Sequence, residues 1–88
     1  MRISYKGRDK GCKYRVAEIT YDANKESDFI CRLVDWLDRV RGWKVDCCVT
    51  EDIGCAMVVV ENMDEYKEFK EDYLIGKKMF RNCEKFGF

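Results

Sequence analysis

The groups that could do chemistry in this 88-residue chain are its six cysteines and its carboxylates, because histidine is absent. Without imidazole the chain lacks the commonest general base, and no Ser-His or Cys-His nucleophile pair can form. The sequence contains neither a G-x-x-x-x-G-K nor a G-x-G-x-x-G phosphate-binding motif. Carboxylate pairs on charged helices are usually solvated surface. The sequence therefore predicts a protein that is not an enzyme and has no catalytic residues.

The cysteines leave two interpretations open. Cys48 and Cys55 flank a predicted hairpin loop on one sheet face, Cys12 begins another strand, and Cys83 lies near the end of the chain. Four thiolates from these positions would suit a tetrahedral, structural zinc site. The Cys48-x6-Cys55 spacing is wider than a zinc knuckle, and no C-x-x-C occurs. Free thiols are therefore the favoured interpretation, with zinc kept as the alternative cofactor.

The other two cysteines are expected in different surroundings. Cys47 alternates with Trp43, Val45 and Val49, so we expect it to be a small buried core residue. Cys31 falls toward the polar side of a predicted helix, where we expect a surface thiol.

A basic segment at the start of the chain raises a nucleic-acid hypothesis. Residues 1–15 carry six basic side chains against Asp9 alone, and tyrosines are interleaved with them. Arginine and lysine beside aromatic rings suit phosphate contacts and base stacking, which makes Arg8, Lys10 and Lys13 the candidate nucleic-acid contacts. The acidic segment 46–72 opposes this hypothesis, because it would repel a phosphate backbone that reached it.

The acidic segment itself raises a protein-binding hypothesis. Residues 46–72 contain nine acids and two lysines. A carboxylate surface of this kind could engage a basic groove on a nucleic-acid-processing enzyme and exclude its substrate. The candidate partner-binding residues are Glu65, Glu68, Glu71 and Asp72, together with Trp36. Trp36 would be an interface anchor if exposed, but a residue at the boundary of the core is the favoured interpretation.

Hydrophobic periodicity predicts the elements that position these groups. We predict strands at 1–5, 12–21, 43–50 and 55–61, helices at 22–42 and from 62 onward, and a four-residue loop at 51–54. Asp22 or Asn24 is expected to cap the first helix and Gly42 to end it, whereas Gly76 either ends the second helix or lies inside it. The predicted class is α+β, with a four-stranded antiparallel sheet and both helices on one face in the order ββαββα.

Bulk composition narrows the class of protein further. The chain is 47% hydrophobic and 39% charged, with seventeen basic and seventeen acidic residues, which is typical of a single packed domain over 1–88. No apolar run is long enough to span a bilayer, and the basic start lacks the apolar core of a signal peptide. Six cysteines without such a signal favour a cytoplasmic protein with reduced thiols. The choice between monomer and homodimer stays open.

The size, the α+β layout, the charge-dense segment 62–73 (NMDEYKEFKEDY) and the lack of catalytic groups resemble the small phage-encoded anti-CRISPR proteins that inhibit type II effector nucleases. The resemblance implies that the chain inhibits by occupying a nuclease surface. It also permits zinc bound through cysteines, as in some members of that group. No residue role is transferred from it.

Together these patterns predict a stoichiometric protein-binding inhibitor of a nucleic-acid-processing enzyme. The alternatives are a nucleic-acid-binding module that uses the basic hairpin and a zinc-stapled structural module.

Overall fold

The chain forms two β-hairpins, each followed by a helix. The computed structural model describes residues 1–6 and 14–85, and side chains as far as Arg81. The elements in chain order are β1 (Arg2–Lys6), β2 (Arg15–Asp22), α1 (Ser27–Arg39), β3 (Asp46–Thr50), β4 (Ile53–Val60) and α2 (Met63–Lys85). The predicted order ββαββα is confirmed.

The strands build one four-stranded sheet in the spatial order β1-β2-β4-β3. Each neighbouring pair is antiparallel, and the two hairpins join through β2 and β4 at the centre. The α+β prediction with a four-stranded antiparallel sheet is therefore confirmed. β1 and β3 are the two edge strands.

The second hairpin turns more tightly than predicted. Its loop is only Glu51 and Asp52, because Ile53 and Gly54 already pair with Thr50 and Val49. Glu51 has a φ of 57°, which is uncommon for a residue with a side chain. Position 54 in β4 requires glycine, because the ring of Tyr21 lies over the backbone there and occupies the space that a Cβ atom would take.

The first helix is shorter than the predicted range 22–42. Asp22 caps a turn ahead of the helix, where its Oδ1 accepts the Asn24 and Lys25 backbone N–H groups at 2.8 and 3.3 Å. Glu26 precedes α1 without a side-chain capping bond. At the other end α1 stops at Arg39, three residues before the predicted end at Gly42. Gly42 lies in the turn that follows and has a φ of 78°, a backbone conformation that glycine adopts without strain.

The second helix begins as predicted and runs through Gly76. Asn62 Oδ1 accepts the Glu65 N–H at 2.9 Å, which caps the first turn. Gly76 lies inside α2, where a Cβ atom would come within 2.6 Å of Leu33 Cδ1 and 2.9 Å of two Trp36 ring carbons. Glycine at this position therefore lets the two helices approach closely.

The core lies between one sheet face and both helices. The buried apolar side chains on the strands all share that face because they alternate along β2 and β4. The core consists of Ala17, Ile19, Tyr21, Ile30, Leu33, Leu37, Ala56, Val58, Val60, Tyr66, Phe69 and Tyr73. Val40 follows Leu33 and Leu37 at helical spacing but does not join the core: it is 64% exposed, because α1 ends at Arg39.

β3 also begins later than predicted. Trp43 and Val45 precede the strand, which starts at Asp46. Both side chains are partly buried against the core, and the Trp43 ring meets Phe69 edge-to-face at 5.2 Å.

Candidate functional site

The outward side of α2 carries a stripe of acids. Asp64, Glu68 and Glu71 are all exposed, and their spacing places them on one side of the helix. Within the described part of the chain, none of the three lies within 4.0 Å of a cationic group. Their charges are therefore available to a partner.

The same stripe continues as apolar surface. Ile75 follows Glu71 by one helical turn and is 52% exposed, and Met79 follows Ile75 by another turn and is 38% exposed. Contiguous exposed apolar side chains rimmed by charges mark interaction sites when the patch is large. We refer to Asp64, Glu68, Glu71, Ile75 and Met79 together as the α2 ridge.

A surface depression of about 420 Å³ lies beside the α2 ridge, where the chain leaves α1. Its lining comprises Val40, Arg41, Trp43, Glu68, Glu71 and Asp72. Arg41 in this depression is already paired with Asp72, so Glu68 and Glu71 are its unpaired charges among the described residues. The depression therefore suits a cationic side chain with an apolar stem, which would pass the exposed Val40.

Asp72 does not belong to the accessible acids, contrary to the sequence prediction. It is only 9% exposed, and its two carboxylate oxygens accept hydrogen bonds from Arg41 Nη2 at 2.7 Å and Trp43 Nε1 at 2.8 Å. Burial raises the pKa of Asp72, but the hydrogen bonds from Arg41 and Trp43 and the charge of Arg41 outweigh burial and hold the pKa below its usual value. Asp72 ties the end of α1 to α2.

Glu65 occupies a third environment. Its backbone N–H is held by the Asn62 cap, and its side chain is half-buried rather than fully exposed. It lines a separate depression of about 480 Å³ together with Trp43, Lys44 and Asp46. The four acids predicted to form one surface are thus divided, and Glu68 and Glu71 are the two that share an exposed stripe.

Trp36 lies at the boundary of the core, as the favoured interpretation expected. It is partly buried, and its ring meets Phe80 edge-to-face with centroids 6.4 Å apart. The guanidinium of Arg41 lies 6.0 Å from the ring centroid, within cation–π range. Trp36 therefore joins α1 to α2 and lies near Arg41, which lines the depression.

Two of the predicted zinc ligands are neighbours. Cys48 and Cys55 are directly opposed across β3 and β4, on the sheet face away from the helices. Cys12 lies outside the described residues, and Cys83 lies in α2 beyond the described side chains. Among the residues whose side chains are described, no three potential ligands cluster. The four-cysteine zinc site therefore stays a hypothesis, for which the structure supplies one pair of adjacent cysteines, Cys48 and Cys55.

The remaining thiols differ from expectation in one case. Cys31 is exposed, as predicted, and Cys47 is exposed although it lies opposite Ala56 on the core side of the sheet. Cys47 was expected to be buried, but β3 is an edge strand whose five residues are all exposed. Partial desolvation, with help from the Cys31 and Asp46 charges, raises the pKa of the Cys47 thiol. A raised pKa leaves less thiolate and so lowers its reactivity.

The basic candidates Arg8, Lys10 and Lys13 lie outside the described residues, so the nucleic-acid hypothesis stays a prediction. Sequence reasoning missed Val40, Arg41, Ile75 and Met79. The turn-by-turn recurrence of Glu71, Ile75 and Met79 was a usable signal, whereas nothing local pairs Arg41 with a residue 31 positions away.

Comparison with protein-family models, with curated proteins and with solved structures found no match to this chain. In the described part, no helix is both long enough and apolar enough to cross a membrane. The case for a function therefore depends on the geometry of the site.

Proposed function

We propose that the chain is a stoichiometric protein-binding inhibitor that docks through the α2 ridge onto a basic surface of a nucleic-acid-processing enzyme. The observation that carries the proposal is the alignment of Glu68 and Glu71, exposed and free of any cation among the described residues, with the exposed Ile75 and Met79. Charge complementarity would orient the encounter, and the apolar side chains would supply the buried centre of the interface.

The chemistry of the partner follows from the depression beside the ridge. Two carboxylates on its wall favour a lysine or arginine of the partner, and a basic patch that binds nucleic acid supplies such residues. Occupying the patch would exclude the nucleic acid by competition, without any reaction. The resemblance to anti-CRISPR proteins makes a type II effector nuclease the first enzyme to test.

The test is a charge reversal on the ridge with a matched control. Glu68→Lys and Glu71→Lys are combined in one variant, which spares Asp64 because an acid in the first helical turn stabilises the helix dipole. The control combines Asp35→Lys and Asp38→Lys, two exposed acids on α1. Both variants change the net charge equally.

Binding to a panel of guide-loaded type II effector nucleases is measured by calorimetry at two salt concentrations. We expect the ridge variant to bind at least about a hundredfold more weakly, because two attractive pairs become repulsive, while the control binds normally. Equal weakening by both variants would mean that net charge rather than the ridge is recognised. Binding by no member of the panel would remove the nuclease assignment.

A further inference from the structure

The β3 edge of the sheet is unusually open. All five residues of β3 are exposed, and β4 is its only strand neighbour in the part of the chain that the structure describes. An edge strand presents unpaired N–H and C=O groups to any strand that can align with it. The three central residues Cys47, Cys48 and Val49 carry no charge, and Val49 is 55% exposed. Nothing in this segment blocks the edge.

The opposite edge is less suited to pairing with itself over its full length. β1 has Arg2 at one end and Lys6 at the other. If two β1 strands paired antiparallel about Ser4, Arg2 of each copy would face Lys6 of the other. Like charges directly opposed across two strands are destabilising. The two edges therefore differ in their capacity for self-association.

We propose that the chain forms a two-fold symmetric homodimer in which the β3 strands of two copies pair antiparallel and join the two sheets into one. A two-fold axis between antiparallel strands stands perpendicular to the sheet, so one residue faces its own copy. Cys48 is the central residue of β3, so an axis at Cys48 pairs the whole segment Asp46–Thr50 with the same segment of the second copy. Both pairs of helices then lie on the same side of the joined sheet.

This register is self-complementary in charge. Asp46 faces Thr50 of the second copy, and Cys47 faces Val49, so no acid faces an acid. The two Asp46 residues are separated along the strands by four residues, which is about 13 Å at about 3.3 Å per residue. This separation exceeds the Debye length at physiological salt, so the two carboxylates repel each other only weakly. The pairing covers the exposed Val49 and Cys47 on the helix side of the sheet.

Cys48 supplies a marker for this register. It lies on the sheet face away from the helices, opposite Cys55 within its own chain. In the dimer it also faces Cys48 of the second copy, on a face open to reagents. A five-residue edge is a small interface, so we expect a dimer that dissociates on dilution.

The first arm of the test is sedimentation equilibrium in reducing buffer over a wide protein concentration range. The wild type should fit a monomer–dimer equilibrium. Cys48→Lys places two lysines face to face and should raise the dimer Kd by about tenfold or more. Ser4→Lys, the central residue of the β1 edge, is the matched control and should leave the Kd unchanged. Thermal melting checks that each variant folds.

The second arm does not depend on the folding of a lysine variant. In a Cys47→Ser, Cys55→Ser protein, Cys48 is the only thiol of the tryptic segment 45–67. Diamide takes two hydrogens from a thiol pair and leaves a disulfide, so the dimer should yield segment 45–67 linked to itself through Cys48.

The proposal is overturned by a monomer at every concentration, by a dimer that Cys48→Lys leaves intact, by a dimer lost on Ser4→Lys, or by the absence of the Cys48–Cys48 link from oxidised dimer. Species larger than a dimer would indicate head-to-tail pairing of β1 with β3, in which Lys6 faces Asp46 of the next copy, and would also contradict it. The ridge variant of α2 should dimerise normally, so failure of this proposal and failure of the proposed function are distinguishable.

Discussion

Asp72 shows how one carboxylate can be structural while its neighbour is available for binding. Glu71 is adjacent in sequence and exposed, whereas Asp72 is turned toward α1 and receives donors from Arg41 and Trp43. Both donors come from the segment that follows α1, so the carboxylate fixes where that segment lies against α2. It thereby shapes the depression beside the ridge.

Replacing Asp72 with asparagine should destabilise the fold at neutral pH. The amide can accept only through its oxygen, so either Arg41 or Trp43 would face an NH₂ group instead of an acceptor. We expect a loss of about 1–3 kcal/mol in the free energy of unfolding, measured by urea titration. Glu71→Gln is the matched control and should change it by less than about 0.5 kcal/mol.

The same variant carries a pH signature. Because the pKa of Asp72 is lower in the folded protein, its stabilising contribution is complete above the unfolded value, near 4, and is lost as the pH falls through the folded value. The stability difference between wild type and Asp72→Asn should therefore be constant from about pH 7 to 5 and shrink below about pH 4. Glu26, whose pKa is lowered chiefly by the Asp22 backbone N–H, leaves some acid sensitivity in the variant. If the stability difference between wild type and Asp72→Asn stayed constant below about pH 4, the ionised Asp72 carboxylate would not be what stabilises the fold.

At the scale of the elements, Gly76 controls how closely the helices pack. Alanine is the better helix former by about 1 kcal/mol, so propensity alone favours Gly76→Ala. The added methyl would nevertheless sit 2.6 Å from Leu33 Cδ1 and 2.9 Å from the Trp36 ring, where α1 and α2 touch.

We expect overpacking to prevail, so that Gly76→Ala lowers the free energy of unfolding by about 1–3 kcal/mol in spite of its propensity gain. Lys70→Ala, at an exposed site of the same helix, serves as the control and should be nearly neutral. Urea unfolding with tryptophan fluorescence measures both variants. A more stable Gly76→Ala protein would show that the helices can separate at little cost.

The order and type of the elements could be read from the sequence because strand alternation and helix periodicity are local signals. The Asn62 cap and the glycine turn at Gly42 were predictable for the same reason, since each depends on a few adjacent residues. The end of α1 at Arg39 and the two-residue loop at Glu51 were not, because tertiary contacts decide such boundaries.

The candidate site was predictable only in part. Charge density identified the acidic helix, but only the arrangement of α1 against α2 separates the buried Asp72 from the exposed Glu68 and Glu71. Likewise the sequence placed Cys47 on the core side of β3, yet could not tell that an edge strand would leave it exposed.

At the scale of the whole molecule, the fold leaves three surfaces with different roles. The α2 ridge faces away from the sheet, and the β3 edge lies at one side of the sheet. Within residues 1–6 and 14–85, no helix covers the sheet face that bears Cys48 and Cys55. The first is the proposed partner surface and the second the proposed dimer contact. Since the two are built from different elements, partner binding and self-association can be altered separately.

The most direct test of the account is a titration of the partner enzyme's activity at an enzyme concentration far above the Kd of the complex. A type II effector nuclease bound by the chain is mixed with increasing amounts of it, and residual DNA cleavage is measured. We predict a linear fall that reaches zero at roughly one chain per nuclease, because an inhibitor that acts by occupancy is consumed in the complex. Complete inhibition at far less than one chain per nuclease would show that one chain inactivates many nuclease molecules. That result would contradict inhibition by occupancy of a surface.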